Sequence, residues 1–297
     1  MQVGIIGVGT MGQHFARRLH AAGHDLVVYD AHQPALAPLA ALGATVASSA
    51  CDLASQTANV LLCLPTPAAV QSVAMAVATA TTVQRVVDLS TTGPSVTKEV
   101  GQVLANKGIS LVSAPVSGGP GGAQQGTLAM MAAGDQKAFK HLEPVLQTLA
   151  KNIFFMGSDP SLSQTMKIIN NTLYATSMLA SCEALVYGVK AGLDPQAMLE
   201  VINVSSGRSY ATLERIPQCV LDRSFPVRFA TELLHKDVKL CLDEAEKLGS
   251  PMWINQAARQ FLAFAIAQGD GAADNVFPIR HFEQWAGVQV GEVASQL

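Results

Sequence analysis

With 297 residues, 49% of them hydrophobic and only 14% charged, the chain can form two domains of ordinary size with much surface buried between domains or subunits. A formal net charge of −3 with no basic run excludes the electrostatic footprint of a nucleic-acid binder or of a protein drawn to an anionic membrane. Five scattered cysteines without a C-x-x-C pair read as reduced thiols, and seven histidines without a pair at ligand spacing leave no expectation of a metal site. A first strand beginning at residue 2 leaves no room for a leader, and the apolar runs are too short to span a bilayer. The expectation is a soluble, cytoplasmic protein.

The first predicted element is the strand Val3–Gly7, followed at once by Gly7-Val8-Gly9-Thr10-Met11-Gly12 and a helical stretch to Gly23. A strand turning this sharply into a helix needs glycine for its backbone geometry and for close approach of a phosphate. The helix N-terminus then offers its N–H groups to a dinucleotide pyrophosphate. The second strand, Leu26–Asp30, ends in an acid about 20 residues further on, the spacing at which a carboxylate meets the adenosine ribose hydroxyls. Asp30 repels a 2′-phosphate, so NAD is expected and NADP disfavoured. Another nucleotide-type ligand, such as that of a methyltransferase, remains an alternative at this point.

Further strands are predicted at Val60–Leu64, Val86–Leu89, Ser110–Ser113, Leu128–Ala133 and Ile153–Phe155, with alanine-rich helices between them. This α/β alternation predicts a parallel sheet covered by helices on both faces. Cys63 falls inside one of the apolar strands and reads as packing. From about residue 161 no strand signal remains. Gln164–Gly192 reads as one helix about 42 Å long, apolar on more than one face and so buried between domains or against a partner chain. The predicted organisation is a Rossmann-type domain over 1–160 and an all-helical domain over 161–297.

Three clusters can carry chemistry. Lys167 and Asn171 lie four apart, on one face of the long helix, with Asn170 beside them. A lysine in an apolar segment is desolvated, which favours its neutral form and proton exchange near neutral pH. A solvated lysine and a helix-end asparagine are the bland alternative. Ala114–Gly122 holds four glycines and two prolines, reads as an irregular rigid turn, and can aim N–H groups and the Ser117 hydroxyl at a carboxylate. It can equally be a plain connection between strands. His235-Lys236-Asp237 reads as solvated surface charge. Leu64-Pro65 and Ser90-Thr91 close parallel strands, where ligands gather. Arg208 and His281 are isolated polar residues, more often satisfied locally than catalytic.

Taken together, Gly7–Gly12, Leu64-Pro65, Asp88-Leu89-Ser90-Thr91, Pro115-Val116-Ser117-Gly118-Gly119, Lys167-Ile168-Ile169-Asn170-Asn171 and Lys236-Asp237, in this order, resemble the β-hydroxyacid dehydrogenases. That family includes 3-hydroxyisobutyrate dehydrogenase, tartronate semialdehyde reductase and, more distantly, 6-phosphogluconate dehydrogenase, and the resemblance spans essentially the whole chain. It implies a cofactor bound between a Rossmann-type domain and a helical domain that mediates homo-oligomerisation as a dimer or tetramer. Lys167 is then the catalytic acid/base and Asn171 a substrate ligand. Ser117, Gly118 and Gly119 hold the carboxylate of a small substrate. Gly7, Gly9, Thr10, Met11, Gly12, Asp30, Leu64, Pro65, Thr91 and Lys236 serve the cofactor, with Asp237 fixing Lys236. The implied reaction is hydride transfer between NAD and a short 3-hydroxy acid. Alternatives are reduction of an imine or larger aldehyde acid, and a non-enzymatic NAD-binding sensor. The chain departs from the family at Ser113, where aspartate is usual, and at Ser161 and Ser163, where glycines are usual.

Overall fold

In the first half the apolar runs become strands β1 (Gln2–Ile6), β2 (Asp25–Tyr29), β3 (Thr45–Val46), β4 (Asn59–Leu62), β5 (Arg85–Asp88), β6 (Ser110–Ser113), β7 (Val116–Ser117), β8 (Leu128–Gly134) and β9 (Ala150–Phe155). Helices α1 (Thr10–Ala21), α2 (Ala37–Ala40), α3 (Ala50–Gln56), α4 (Pro67–Val77), α5 (Pro94–Ala105), α6 (Gly119–Gln125) and α7 (Gln136–Gln147) alternate with them. The computed structural model describes residues 1–291. It divides into one unit over Met1–Lys167 and a second from Ile168 onward. The division falls inside the long helix, whereas the sequence places it ahead of that helix, at 160/161.

The sheet of the first unit runs in the order β3-β2-β1-β4-β5-β6-β8-β7, with β9 beside β8. After β1 the chain moves outward through β2 and β3, then returns to place β4 on the other side of β1. This reversal is a topological switch point, and the carboxyl ends of β1 and β4 flank it. Both faces of the sheet are buried, so its strands read as continuous apolar runs. Alternate residues divide between two cores. Ile5, Val28, Leu61 and Val87 pack on one face with Phe15 and Leu19 of α1. Ile6, Val27, Val60, Leu62 and Val86 pack on the other with Leu53 of α3 and Val70 of α4.

The expected parallel sheet holds from β3 to β6 and reverses at its far side. There β8 runs antiparallel to both β6 and β7, while β9 runs parallel to β8. The cause is the glycine- and proline-rich turn, which folds the chain back so that Val116 faces Met130 and Ser117 faces Ala129. Nor is that segment wholly irregular. Val116–Ser117 is a short strand, and Gly119–Gln125 is a helix despite three glycines. Gly118 and Gly119 take φ of 127° and 62°, values that L side chains resist, and so make the corner possible. Cys63 lies one residue past β4, not within it.

The second unit contains most of α8 (Ser161–Lys190), then α9 (Pro195–Asn203), α10 (Thr231–Lys247), α11 (Trp253–Ala265) and α12 (Ile279–Ala286). Its core joins Met178, Cys182 and Leu185 of α8 to Leu234 and Val238 of α10, Leu262 of α11 and Ile279 of α12. Inside it the fully buried Asp274 accepts hydrogen bonds from Arg215 Nη2 at 2.6 Å and from the Arg228 and Phe229 N–H groups at 2.8 and 3.2 Å. One carboxylate thus ties three chain segments together. Among the described residues no helix is long and apolar enough to cross a membrane.

Candidate active site

The strand-to-helix turn after β1 is set by close backbone packing. Gly7 has φ of 92°, and a Cβ there would lie 2.2 Å from the Cys63 carbonyl oxygen; a Cβ on Gly12 would lie 2.0 Å from the Gly7 carbonyl oxygen. Glycine is therefore required at both places, for the fold itself. Gly9 differs. A Cβ built on it meets no protein atom within 4 Å, so the loop beside the helix terminus is clear for a phosphate. The first intrahelical bond of α1 runs from Gln13 N–H to Gly9 carbonyl, which puts the Thr10 and Met11 N–H groups ahead of it. With no side chain at Gly9 to cap them, they suit a pyrophosphate. Thr10 is exposed, and Met11 packs partly against the core beneath.

Asp30 follows β2 and turns back toward this loop. Its Oδ2 accepts the Val8 N–H at 2.7 Å and its Oδ1 accepts the His32 N–H at 2.8 Å. The carboxylate is thus held rigid beside the phosphate-binding turn. The residues present fit a dinucleotide.

The neighbouring carboxyl ends of β4 and β5 bring together two further predicted segments. Leu64 N–H donates to Ser90 Oγ at 2.9 Å, and Ser90 N–H donates to Oδ1 of buried Asp88 at 2.9 Å. Leu64-Pro65 and Thr91 therefore share one rim of the sheet. Cys63 lies here too, but its thiol is pushed up to about 12 by burial and by the Asp88 and Asp30 carboxylates. It is no nucleophile at neutral pH. On the antiparallel side, Ser117 ends β7, and Gly118 and Gly119 open α6 as exposed residues.

The start of α8 is fixed to this rim by a residue that sequence reasoning passed over. Gln164, fully buried, accepts the Thr92 and Gly93 N–H groups at 3.0 and 3.3 Å and donates to the Ser90 carbonyl and the Ser113 hydroxyl, each at 3.0 Å. Its partners lie 51 to 74 residues away, so no local pattern marks it. The serines at the start of α8 also have roles. Ser161 donates its N–H and hydroxyl to Asp159 at 2.9 and 2.7 Å, which lowers the Asp159 pKa, and Ser163 Oγ donates to the Pro160 carbonyl.

One turn beyond Gln164 comes Lys167, and one turn beyond that Asn171. They are 7% and 6% exposed, which rules out the solvated alternative for this pair. In the helical unit, Asn171 Nδ2 donates to Asp237 Oδ2 at 2.6 Å, and Lys236 Nζ lies 3.1 Å from Asp237 Oδ1. Asp237 is buried, so the acid of the expected surface charge pair instead bridges α10 to α8 through Asn171, while Lys236 stays partly exposed. His281 pairs with Asp270 at 2.7 Å, away from these residues in the chain.

Residues 2–157 match the family model for the NAD-binding domain of 6-phosphogluconate dehydrogenase, and residues 162–282 match the model described as NAD-binding of NADP-dependent 3-hydroxyisobutyrate dehydrogenase. The chain belongs to the β-hydroxyacid dehydrogenase family. It is 34% identical over 296 residues to 2-(hydroxymethyl)glutarate dehydrogenase of Eubacterium barkeri, covering 98% of this chain and 97% of that one. The mitochondrial 3-hydroxyisobutyrate dehydrogenase of Homo sapiens is 32% identical over 92% of this chain and 84% of its own. The solved 3-hydroxyisobutyrate dehydrogenase of Mycobacterium tuberculosis with L-serine superimposes with a TM-score of 0.88 at 28% identity, covering 94% of this chain and 98% of that one. Membership of the β-hydroxyacid dehydrogenases brings the coarse activity with it: a nicotinamide-dependent hydroxyacid dehydrogenase acting on a CH–OH group.

The two kinds of glycine in the loop make a separable prediction. Gly9→Val adds a side chain where no protein atom stands, so thermal stability should stay within a few degrees of the parent. Dinucleotide affinity, read by titration calorimetry, should fall at least about tenfold through loss of close phosphate approach. Unchanged affinity would remove the pyrophosphate from this turn.

Proposed function

We propose that the protein is an NAD-dependent dehydrogenase of a short 3-hydroxy acid, with Lys167 as its proton acceptor and donor. The observation that carries this reading is the buried polar face of α8, on which Lys167 sits between Gln164 and Asn171. An amine on that face, placed beside a bound alcohol, can exchange a proton with it. The named relatives support the substrate class. 3-Hydroxyisobutyrate and 2-(hydroxymethyl)glutarate both carry a hydroxymethyl group on the carbon next to a carboxylate.

In this reading the Ser117 hydroxyl and the Gly118 and Gly119 N–H groups grip the substrate carboxylate, which fixes the carbinol carbon relative to the lysine. The bound nicotinamide supplies the hydride acceptor for oxidation and the donor for reduction. Lys167 takes the hydroxyl proton onto its neutral amine in oxidation and returns it from the ammonium in reduction. Asn171, oriented by its bond to Asp237, holds the substrate oxygen. Lys236, paired with the same carboxylate, and Thr91, on the β5 rim, serve the nicotinamide half of the cofactor. Asp30 favours NAD, because an ionised carboxylate accepts from a ribose hydroxyl and repels a phosphate.

The chain's partner in this reading is a second copy of itself. Leu162, Met166, Ile169 and Leu173 are exposed and follow one another at helical spacing, on the face of α8 opposite Gln164, Lys167 and Asn171.

Three outcomes are expected. A spectrophotometric screen of short 3-hydroxy acids, semialdehydes and cyclic imines should find turnover with the first two classes; Lys167→Ala should then lower kcat by about a hundredfold or more while NAD still binds. Near-normal turnover in that variant would refute the role, and turnover with imines alone would refute the substrate class. Initial rates with each cofactor should give a kcat/KM for NAD about tenfold or more above that for NADP, and the reverse order would overturn the assignment to Asp30. Light scattering should report a dimer or tetramer that Leu173→Glu shifts toward monomer. A monomeric parent protein would discard the stripe as an interface.

A further inference from the structure

We propose that Gln164 is the positioning residue of this active site: it holds the Ser90–Gly93 loop, and with it Thr91, in the conformation that receives the nicotinamide half of the cofactor. The inference rests on the assignment of Thr91 above and deepens it.

The geometry leaves the amide one orientation. A primary amide accepts two hydrogen bonds at oxygen and donates two from nitrogen, and Gln164 fills this capacity. Its Oε1 takes the Thr92 and Gly93 N–H groups, and its Nε2 serves the Ser90 carbonyl and Ser113 Oγ. Exchanging oxygen and nitrogen would aim N–H groups at N–H groups. Three of the four partners are main-chain groups of the four-residue loop that carries Thr91, two after it and one before. The loop is therefore gripped on both sides of the residue that needs to be placed, while Thr92 Oγ1 is held by Thr97 Oγ1 at 2.8 Å. The fourth partner lies at the foot of the carboxylate turn, since Ser113 ends β6 and Ala114-Pro115 leads directly to β7. Ser90 continues the chain of contacts to Leu64.

Leaving these groups unpaired in a buried place is costly. Removing the amide strands two N–H donors and a carbonyl. The loop then moves to find other partners, and Thr91 moves with it. Gln164 does not need to touch substrate or cofactor to matter, because it acts through the loop. Three residues on, the same helix face presents Lys167, so one side chain sets the nicotinamide-side loop and the lysine in a common register. The neutral Ser113 hydroxyl, where the family usually has aspartate, completes this pairing without adding a charge.

The test compares two ligands of the same pocket. ADP-ribose shares the adenosine, pyrophosphate and ribose contacts with NAD and lacks the nicotinamide. In Gln164→Leu, titration calorimetry should show the Kd for NAD raised about tenfold and that for ADP-ribose within about twofold of the parent protein. Turnover, where a substrate has been found, should show a loss in kcat greater than any change in the KM for hydroxy acid. Ser113→Ala, which deletes one of the four contacts and suits the case in which Gln164→Leu fails to fold, should shift the NAD to ADP-ribose ratio by about threefold. A ratio unchanged in whichever variants fold, or an equal weakening of both ligands, would overturn the proposal and leave Gln164 as a scaffold residue. Because the ligand comparison needs no turnover, it reads Gln164 even if no hydroxy acid is oxidised, an outcome that would sink the proposed substrate class alone.

Discussion

Buried main-chain groups need partners, and at the carboxyl rim of this sheet the partners come from outside it. Beyond the ends of β5 and β6 the chain leaves its ladders, so the Thr92 and Gly93 N–H groups and the Ser90 carbonyl have no strand to bond. The first turns of α8 supply what is lacking through the Gln164 amide. Satisfying the backbone and placing the helix are the same event. From this follow the height of α8 on the rim, the setting of Lys167 one turn further on, and the fixed shape of the loop that carries Thr91.

The dinucleotide half of the site works by a different economy, in which space matters more than bonding. Gly7 and Gly12 are glycines because backbone lies about where their side chains would go, whereas the space beside Gly9 is open. A glycine motif read as one signal thus contains two physical requirements. Asp30 adds bonding to this arrangement: its carboxylate closes the loop through Val8 and is held rigid by doing so. A recognition group held by the very turn it serves loses little entropy on binding.

The legible parts of the molecule were those with a local period or a required residue type. The β1–Gly7–α1–β2 unit, the two-sided burial of the parallel strands and the long helix all repeat within a window of a dozen residues, and each stands where the sequence places it to within a few residues. That Lys167 and Asn171 share one face of a helix was visible for the same reason, a four-residue spacing. What escaped had no such signature. Strands β3 and β7 are two residues long, too short for alternation to show. The reversal of β8 depends on which strand it pairs with, a fact of register and not of composition. Helix α6 forms through Gly119-Pro120-Gly121-Gly122 against its poor propensity, because Gly118 can turn the corner that starts it. Asp237 looked like surface charge, because adjacent opposite charges usually are. Its burial becomes evident only when Asn171, 66 residues earlier, is seen to bond it.

Lys167 is therefore placed by two neighbours of its own helix face, each satisfied by different surroundings. Three residues before it, Gln164 is saturated by the sheet rim of the first unit. Four residues after it, Asn171 is bonded to Asp237 within the helical unit. Both belong to one helix, which has no interior proline. A flexible four-carbon side chain costs much to order if only its tip is held. Here the backbone on either side of its root is held first, so that the amine begins from a fixed origin. The burial of a lysine is unfavourable taken alone, and the buried face of the helix that carries it is polar on both sides of it, at Gln164 and at Asn171.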